Sequence, residues 1–389
     1  MENTENTIRR KIAETFLDVA KGLESGSFAH PVKVALTALG SEHGEQMMAE
    51  SACDAQKSGI SVAYIGSRPQ EGMESYVVSD DESAHKKMVE LLDCGEVDAA
   101  VTMHFPFPIG VSTVGRVNTP AFGREMFLAT TTGTASSDRI EGMVLNTIYG
   151  IITAKACGVK DPTVGILNVD GARQTQMILE ELQKNGYSIS FAQSHRADGG
   201  CVMRGNDILA GSCDIMVTDP LSGNILTKLL SAFTTGGSFE SIGYGYGPGI
   251  GRDYDKLILI ISRASGRPVV ANAMRYAAEL VRADYRKIAK AEFEAAEKAG
   301  LSAILEKRRK QPEKQTSATA EIPAPPKEVV TETYSGIEIM DLDNAVAELF
   351  KAGIYAESGM GCTGPVVLVS KANYEKAGNI LRAKGYIGG

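Results

Sequence analysis

The chain has 389 residues, which at ~100–200 residues per domain predicts two domains with an appendage. Hydrophobic residues make up 43% and charged residues 23%, which excludes a disordered or collagen-like chain. Acidic residues outnumber basic ones 48 to 40, so the broad electropositive face of a nucleic-acid binder is not expected, and an anionic substrate would need local basic pockets. In chain order, Ile8, Ile12, Phe16, Val19 and Leu23 recur at helical spacing and predict an amphipathic helix within residues 1–30. Residues 31–150 then alternate: strands at 32–39, 61–66 and 98–103, with helices over 45–59 and 83–95 between them. That order predicts a parallel sheet with helices on its faces.

A helix over 140–158 leads into a second α/β domain, 151–305. Its strands are expected at 163–170, 188–193, 214–219 and 256–262, and its helices over 174–186, 225–233 and from about Pro268 onward. Residues 306–332, with IPAPP and no aromatic side chain, read as a Pro-rich linker. The last segment, 333–389, predicts a helix at 341–353, a strand at 364–370 and a helix at 372–385. At 57 residues it is marginal as an independent domain and is expected to dock on the main body.

Glycine is enriched, 41 residues in all, which suggests loops where backbone meets a ligand. The six cysteines show no CxxC spacing, so no disulfide framework or zinc site is expected, and no apolar run reaches a membrane span or a signal peptide. A reducing, cytoplasmic setting follows. Cys53, Cys94, Cys157, Cys201 and Cys213 read as core or structural residues. Cys362 differs, because SGMGCTGP (358–365) sets it among Gly359, Gly361 and Gly364 just before a buried strand. Glycines there would let an acyl carbonyl approach backbone N–H donors during thiolate attack; a small residue in a tight turn fits the same letters equally well.

Three strand ends carry anion-binding chemistry. TDPLSGNILTK (218–228) reads as a strand, a Gly223–Asn224 turn and a helix with Lys228 one turn on, suited to a phosphate, although an ordinary strand-to-helix connection is an equal account. ISRASGRP (261–268) offers Ser262, Arg263, Ser265 and Arg267, and VDGARQ (169–174) offers Arg173, with solvated arginines as the plainer alternative. Open α/β sheets bind ligands at such carboxyl ends. The glycine-rich stretch 236–251, with Tyr244 and Tyr246, lacks a GxGxxG fingerprint, which argues against NAD; a flap or a long surface loop both fit it. His104 in HFPFP is available as a base, but the two prolines more simply shape a turn.

Two longer segments carry a resemblance. CDIMVTDPLSGNILTKLL (213–230) is similar to the ADxLVxPxxxAGNIxxKL segment of the phosphate acetyltransferase and phosphate acyltransferase superfamily, and IISRASGRPVVANAMRYAAEL (260–280) to its DLSRG-type anchor and helix. Spanning residues 30–290, the resemblance implies a two-domain fold with parallel or mixed sheets covered by helices, plus a small C-terminal α/β tail, with Ser262 and Arg263 holding phosphate or acyl phosphate. With the linker and GMGCTGP added, the whole chain resembles the alpha-subunit family of protein C of the glycine/sarcosine/betaine reductase complex. This implies Cys362 as an acetyl-thioester carrier, inorganic phosphate as substrate and acetyl phosphate as product. The carboxymethyl group would come from the selenocysteine of selenoprotein A, with the protein C beta subunit as partner in a hetero-oligomer. No metal or organic cofactor is implied in this chain. Phosphate would meet Arg263, Ser262 and the Gly223–Asn224 turn, with Lys228 and Arg173 added from position. The alternatives are a stand-alone phosphate acyltransferase using CoA or acyl-carrier protein, and a non-catalytic scaffold subunit.

Overall fold

The computed structural model describes residue 16 and residues 31–195, 199–310, 323–337, 341–361 and 364–387. The expected N-terminal helix, apart from Phe16, and linker residues 311–322 lie outside the described residues. Two units form, and the chain crosses between them repeatedly. The first takes Met1–Phe105, Ala232–Pro248 and Lys256–Asp284, and the second takes Pro106–Ser231, Gly249–Asp255 and Tyr285–Gly389. This interleaving replaces the two consecutive blocks, 31–150 and 151–305, that alternation suggested.

The first unit opens with β1 (Lys33–Thr37), α1 (Gly44–Gln56), β2 (Ser61–Gly66), β3 (Glu74–Val77), α2 (Asp81–Asp93) and β4 (Ala99–Thr102). β1, β2 and β4 are almost wholly buried, as strands covered on both faces must be, whereas the unannounced β3 is a largely exposed edge beside β2. α2 starts on a capping box: Asp80 accepts the Ser83 N–H at 2.8 Å, and the Ser83 hydroxyl accepts the Asp80 N–H at 3.2 Å.

The second unit begins with an antiparallel hairpin, β5 (Val111–Asn118) and β6 (Glu125–Thr134). After it come α3 (Arg139–Ala156), β7 (Thr163–Leu167), α4 (Ala172–Lys184), β8 (Ser190–Phe191), β9 (Val202–Met203), α5 (Gly205–Ala210), β10 (Ile215–Val217) and α6 (Pro220–Ala232). β10 lies between β6 and β7 and parallel to both, giving the order β5-β6-β10-β7-β8, with β9 also pairing β7. α3 covers one face of this sheet, where a Cβ at Gly150 would come within 2.6 Å of Ile215 Cγ2. α5 and α6 cover the other through a cluster that includes Met126, Leu128, Ile208, Met216 and Leu230.

β11 (Gly247–Ile250) is shared: Gly247 and Pro248 pair with β12 (Ile258–Ile260), Gly249 and Ile250 with β5, both antiparallel. β12 runs parallel to β4 and completes the order β3-β2-β1-β4-β12-β11 in the first unit. That pairing is the physical reason residues 256–284 leave the second α/β set. α7 (Arg267–Arg282) packs on α1, and α8 (Tyr285–Lys298) and α9 (Leu301–Lys310) belong to the second unit. Because α9 runs to Lys310, residues 306–310 are helix rather than linker.

The tail holds β13 (Glu332–Ser335), α10 (Leu342–Lys351), β14 (Ala356–Gly361), β15 (Gly364–Val369) and α11 (Tyr374–Ala383). Its antiparallel sheet runs β13-β15-β14, and its own apolar cluster includes Ile337, Leu349, Val367 and Leu381. Glu348 ties the two tail helices together through Lys384 at 2.7 Å. The α/β class with mixed sheets and a small α/β tail is therefore present. No helix among the described residues is long and apolar enough to cross a membrane.

Candidate active site

In the first unit the chain moves from β1 outward to β2 and β3 and returns on the other side of β1 at β4, so a switch point lies at the carboxyl ends of β1 and β4. There the buried hydroxyls of Thr37 and Thr102 meet at 2.7 Å, and His85 Nε2 lies 3.1 Å from Thr102 Oγ1. Burial pulls the His85 pKa down against the attraction of Asp81, with His104 adding to the depression, so the ring is neutral at pH 7. His104 itself is exposed.

β12 ends at Ile260, and Ser262 and Arg263 follow just beyond it. A tight turn follows: the Ser265 N–H donates to the Ser262 carbonyl at 3.0 Å, the Ser262 N–H to Ser265 Oγ at 3.0 Å, and the Ala264 N–H to Ser262 Oγ at 3.2 Å. Two residues outside the motif brace it. Buried Glu240 bridges to Ser265, accepts its hydroxyl at 2.8 Å and accepts the Gly266 N–H through its own carbonyl at 2.8 Å. Tyr246 is buried too, and its N–H donates to the Ile260 carbonyl at 2.8 Å; desolvation and the charge of Glu240 push its pKa up. Residues 245–250 are buried as well, so this part of the glycine-rich stretch is a brace rather than a surface loop.

The two arginines of the motif divide. Arg267 Nε donates to Asp54 Oδ2 at 2.5 Å and Nη1 to Glu50 Oε2 at 3.0 Å, and its hydrogen bond, with that of Lys57, holds the Asp54 carboxyl far below the usual range. Arg263 has only a 3.8 Å approach to Asp81, and its side chain is 60% exposed. It is the guanidinium that can turn to an anion.

The second unit holds the other strand-end candidates, and here the expected anion turn is corrected. α6 begins at Pro220, so Gly223 and Asn224 lie inside the helix and not in a turn before it. Asp219 occupies the helix start: Oδ1 accepts the N–H groups of Leu221 and Ser222, each at 3.0 Å, and Oδ2 accepts the Ser222 hydroxyl at 2.6 Å. Burial raises the Asp219 pKa, but those hydrogen bonds and Arg139 outweigh it, and the group stays ionised. A carboxylate thus takes the amides proposed for phosphate. Gly223 serves packing, since a Cβ there would fall 1.7 Å from the Thr130 carbonyl oxygen. Lys228 is exposed, about two turns along α6 from its start at 3.6 residues per turn.

Arg173 stands in the first turn of α4, donates Nη1 to Gln176 Oε1 at 3.1 Å, and packs against the tail at Gly336, where a Cβ would come within 2.9 Å of Nη2. A cavity of about 290 Å³ opens at the carboxyl end of β6, lined by Ser136, Ser137, Arg139, Asn146 and Asp219 among others. Asn146 is buried there, and its Oδ1 accepts the Ser112 hydroxyl at 2.7 Å.

In the tail, Gly359 and Gly361 belong to β14 and Gly364 opens β15, paired through Gly361 and Gly364. The expected glycine loop is therefore an antiparallel hairpin, and Cys362 and Thr363, between its strands, lie outside the described residues. Burial pushes the thiols of Cys201 and Cys213 up to about 11 and about 12, as core residues require, but Cys94 is exposed and Cys53 and Cys157 are half-buried. Ser262 and Arg263 belong to the first unit; Gly223, Asn224, Lys228, Arg173 and the 356–369 hairpin belong to the second. Among the described residues, no group of three or more His, Cys, Asp or Glu side chains is arranged to hold a metal ion.

The family model described as fatty acid synthesis protein matches residues 32–368. The chain is 55% identical over 382 residues to the glycine/sarcosine/betaine reductase complex component C subunit alpha of Peptoclostridium acidaminophilum, covering 98% of this chain and 99% of that protein. It is 30% identical over 164 residues to a phosphate acyltransferase of Thermotoga neapolitana, covering 39% of this chain and 48% of the relative. Among solved structures, a branched-chain phosphotransacylase from Enterococcus faecalis matches with a TM-score of 0.45 at 17% identity, over 64% of this chain and 99% of that one.

Proposed function

Because the chain belongs to the fatty acid synthesis protein family, and within it to the component C alpha subunits of the glycine/sarcosine/betaine reductase complex, its role is acyl transfer, and we propose that it turns an enzyme-bound acetyl thioester into acetyl phosphate. The observation that carries this reading is the contrast between two neighbouring arginines. Arg267 is consumed by Asp54 and Glu50, whereas Arg263, at the carboxyl end of β12, keeps a largely exposed guanidinium.

In the proposed step, Arg263 and the Ser262 hydroxyl hold inorganic phosphate. A phosphate oxygen attacks the acetyl carbonyl carbon, the tetrahedral adduct collapses with cleavage of the C–S bond, and the electron pair leaves on sulfur as thiolate. Glu240 fixes the turn that follows Ser262 through Ser265 and Gly266, so the donors are set before phosphate arrives. Cys362 is the proposed carrier, supported by its position between the paired Gly361 and Gly364 in a tail that aligns with the full-length relative. The carboxymethyl carbon would reach it from the selenocysteine of selenoprotein A, with the protein C beta subunit as partner. The step asks for no organic cofactor or metal in this chain.

Incubating the full chain with acetyl phosphate and mapping the product by peptide mass spectrometry tests the carrier. One acetyl group on Cys362, absent in Cys362→Ala, is expected. Label on Cys94, or on nothing, overturns the assignment. Acetyl phosphate formed from acetyl-CoA by Cys362→Ala would instead make the protein a CoA-dependent phosphate acyltransferase.

A further inference from the structure

Just beyond β12, Arg263 faces a carboxylate. Asp81, in the first turn of α2, approaches its Nη2 at 3.8 Å, and the two side chains are 60% and 51% exposed. Asp80 beside it is committed to the helix cap, accepting the Ser83 N–H at 2.8 Å and the Ser79 hydroxyl at 2.6 Å. Asp81 has no such commitment: among the described residues it accepts no hydrogen bond, and its ion pair is with Arg263. The loop after β1 sets both groups in place. At its Gly40, φ is +83°, and a Cβ there would come within 3.4 Å of Asp81 Oδ2. Two residues on, the Glu42 N–H donates to the Arg263 carbonyl at 3.0 Å, and His43 Nε2 lies 3.3 Å from the Ala264 carbonyl. One loop thus touches the acid and braces the backbone of the arginine.

We propose that Asp81 determines which anion the Arg263 site takes, accepting the P–OH proton of hydrogen phosphate and turning away oxyanions, such as sulfate, that have no proton to give. A guanidinium can only donate hydrogen bonds, and a carboxylate can only accept them. A ligand that satisfies both must be an anion carrying a proton of its own. Charge-assisted hydrogen bonds of about 2.7–2.9 Å reach across a 3.8 Å gap, so one tetrahedral anion can meet Nη2 and Oδ2 together. Near pH 7 inorganic phosphate and arsenate keep at least one proton, whereas sulfate, of the same shape, keeps none. Sulfate against Asp81 sets two anionic oxygens together with no hydrogen bond between them, and that repulsion is the discriminating element. Arg263 alone would hold either anion. The inference rests on the reading of Arg263 as the phosphate holder and adds the rule by which one tetrahedral anion is chosen over another.

Calorimetric titration of the full chain with inorganic phosphate, arsenate and sulfate, at one pH and ionic strength, is the test. Sites built to hydrogen-bond a ligand hydroxyl reject analogues lacking it, and for this half-exposed pair phosphate and arsenate should bind at least about tenfold tighter than sulfate. Asp81→Asn keeps the size of the side chain and replaces one acceptor oxygen with a donor, so sulfate should rise to within about threefold of phosphate. Because Asp80 caps α2, the melting of this variant should match that of the parent. Arg263→Ala should weaken all three anions together. A parent that takes sulfate as well as phosphate in an Arg263-dependent way, or an Asp81→Asn chain that keeps the parent's preference, overturns the proposal and leaves phosphate on Arg263 in place. Anion binding that is absent, or unaffected by Arg263→Ala, removes the phosphate site itself and the proposal with it.

Discussion

Three residues separate Arg263 from Arg267, and the carboxylates around them decide which can meet an anion. Asp54 and Glu50 fill the hydrogen-bonding fork of Arg267, whose hydrogen bond holds the Asp54 carboxyl far below the usual range. Removing Arg267 should therefore lower the melting temperature and leave the KM for phosphate unchanged. Removing Arg263 should do the opposite. A hydrogen bond to a charged group contributes about 1.5–3 kcal/mol, so Arg263→Ala is expected to raise the KM for phosphate roughly 10- to 100-fold with no change in melting. Arg263→Lys should fall between, keeping the charge but losing the planar fork. Steady-state acetyl phosphate synthesis with phosphate varied, beside thermal melts, reads all three; a KM effect confined to Arg267→Ala would reverse the assignment. Ser262 and Arg263 were legible because strand, turn and helix are contiguous in sequence. Glu240 was not, since it reaches Ser265 across 25 residues through an isolated bridge. The signal that could have found it is a lone acid between aromatic residues in GSFESIGYGYG, a charged group where the chain otherwise prepares for burial.

Among the elements, α6 shows how a motif can be read rightly for its letters and wrongly for its geometry. A glycine near a helix start invites a turn, and a turn of free amides invites phosphate. The helix starts at Pro220, five residues earlier than expected, and Asp219 occupies those amides itself. What remains for Gly223 is the close approach to Thr130. In an unobstructed helix, replacing glycine by alanine stabilises by about 1 kcal/mol. Here the new Cβ would meet backbone at 1.7 Å, which no rotamer relieves, and Gly223→Ala is expected to lower stability by about 1–3 kcal/mol. Denaturant unfolding measures this, and a stabilised variant would show that α6 lifts from β6 freely. The β5–β6 hairpin escaped prediction for a different reason. Its interior is rich in threonine, and Thr113, Thr130 and Thr131 are all buried. Their hydroxyls are satisfied within the strands, Thr113 Oγ1 lying 2.6 Å from Thr131 Oγ1 and Thr130 Oγ1 donating to the Thr113 carbonyl at 2.7 Å. Polar letters thus concealed two buried strands, whereas the aliphatic runs of β1, β2 and β4 announced themselves.

For the chain as a whole, the arrangement of cores separates two tasks. Every buried member of the tail cluster, from Tyr334 to Tyr386, is a tail residue. The tail meets the rest of the second unit at α4, where Gly336 adjoins Arg173 and a Cβ at Gly385 would lie 3.5 Å from Met177 Cε. A chain ending at Lys310 keeps all the strands of both larger sheets together with Ser262, Arg263, Glu240 and Tyr246. Such a chain should therefore show nearly the melting transition of the parent and, by calorimetric titration, the same Arg263-dependent affinity for phosphate. It should take no acetyl group from acetyl phosphate, because the proposed carrier has gone with the tail. Adding residues 323–389 back as a separate polypeptide should restore little labelling, since a domain of under ~70 residues has a small core and loses the concentration advantage of the covalent linker. If the shortened chain still accepts acetyl, the carrier lies in the body. If it loses phosphate affinity while still folded, the tail contributes to the anion site and the two tasks are not separable in the way the cores divide them.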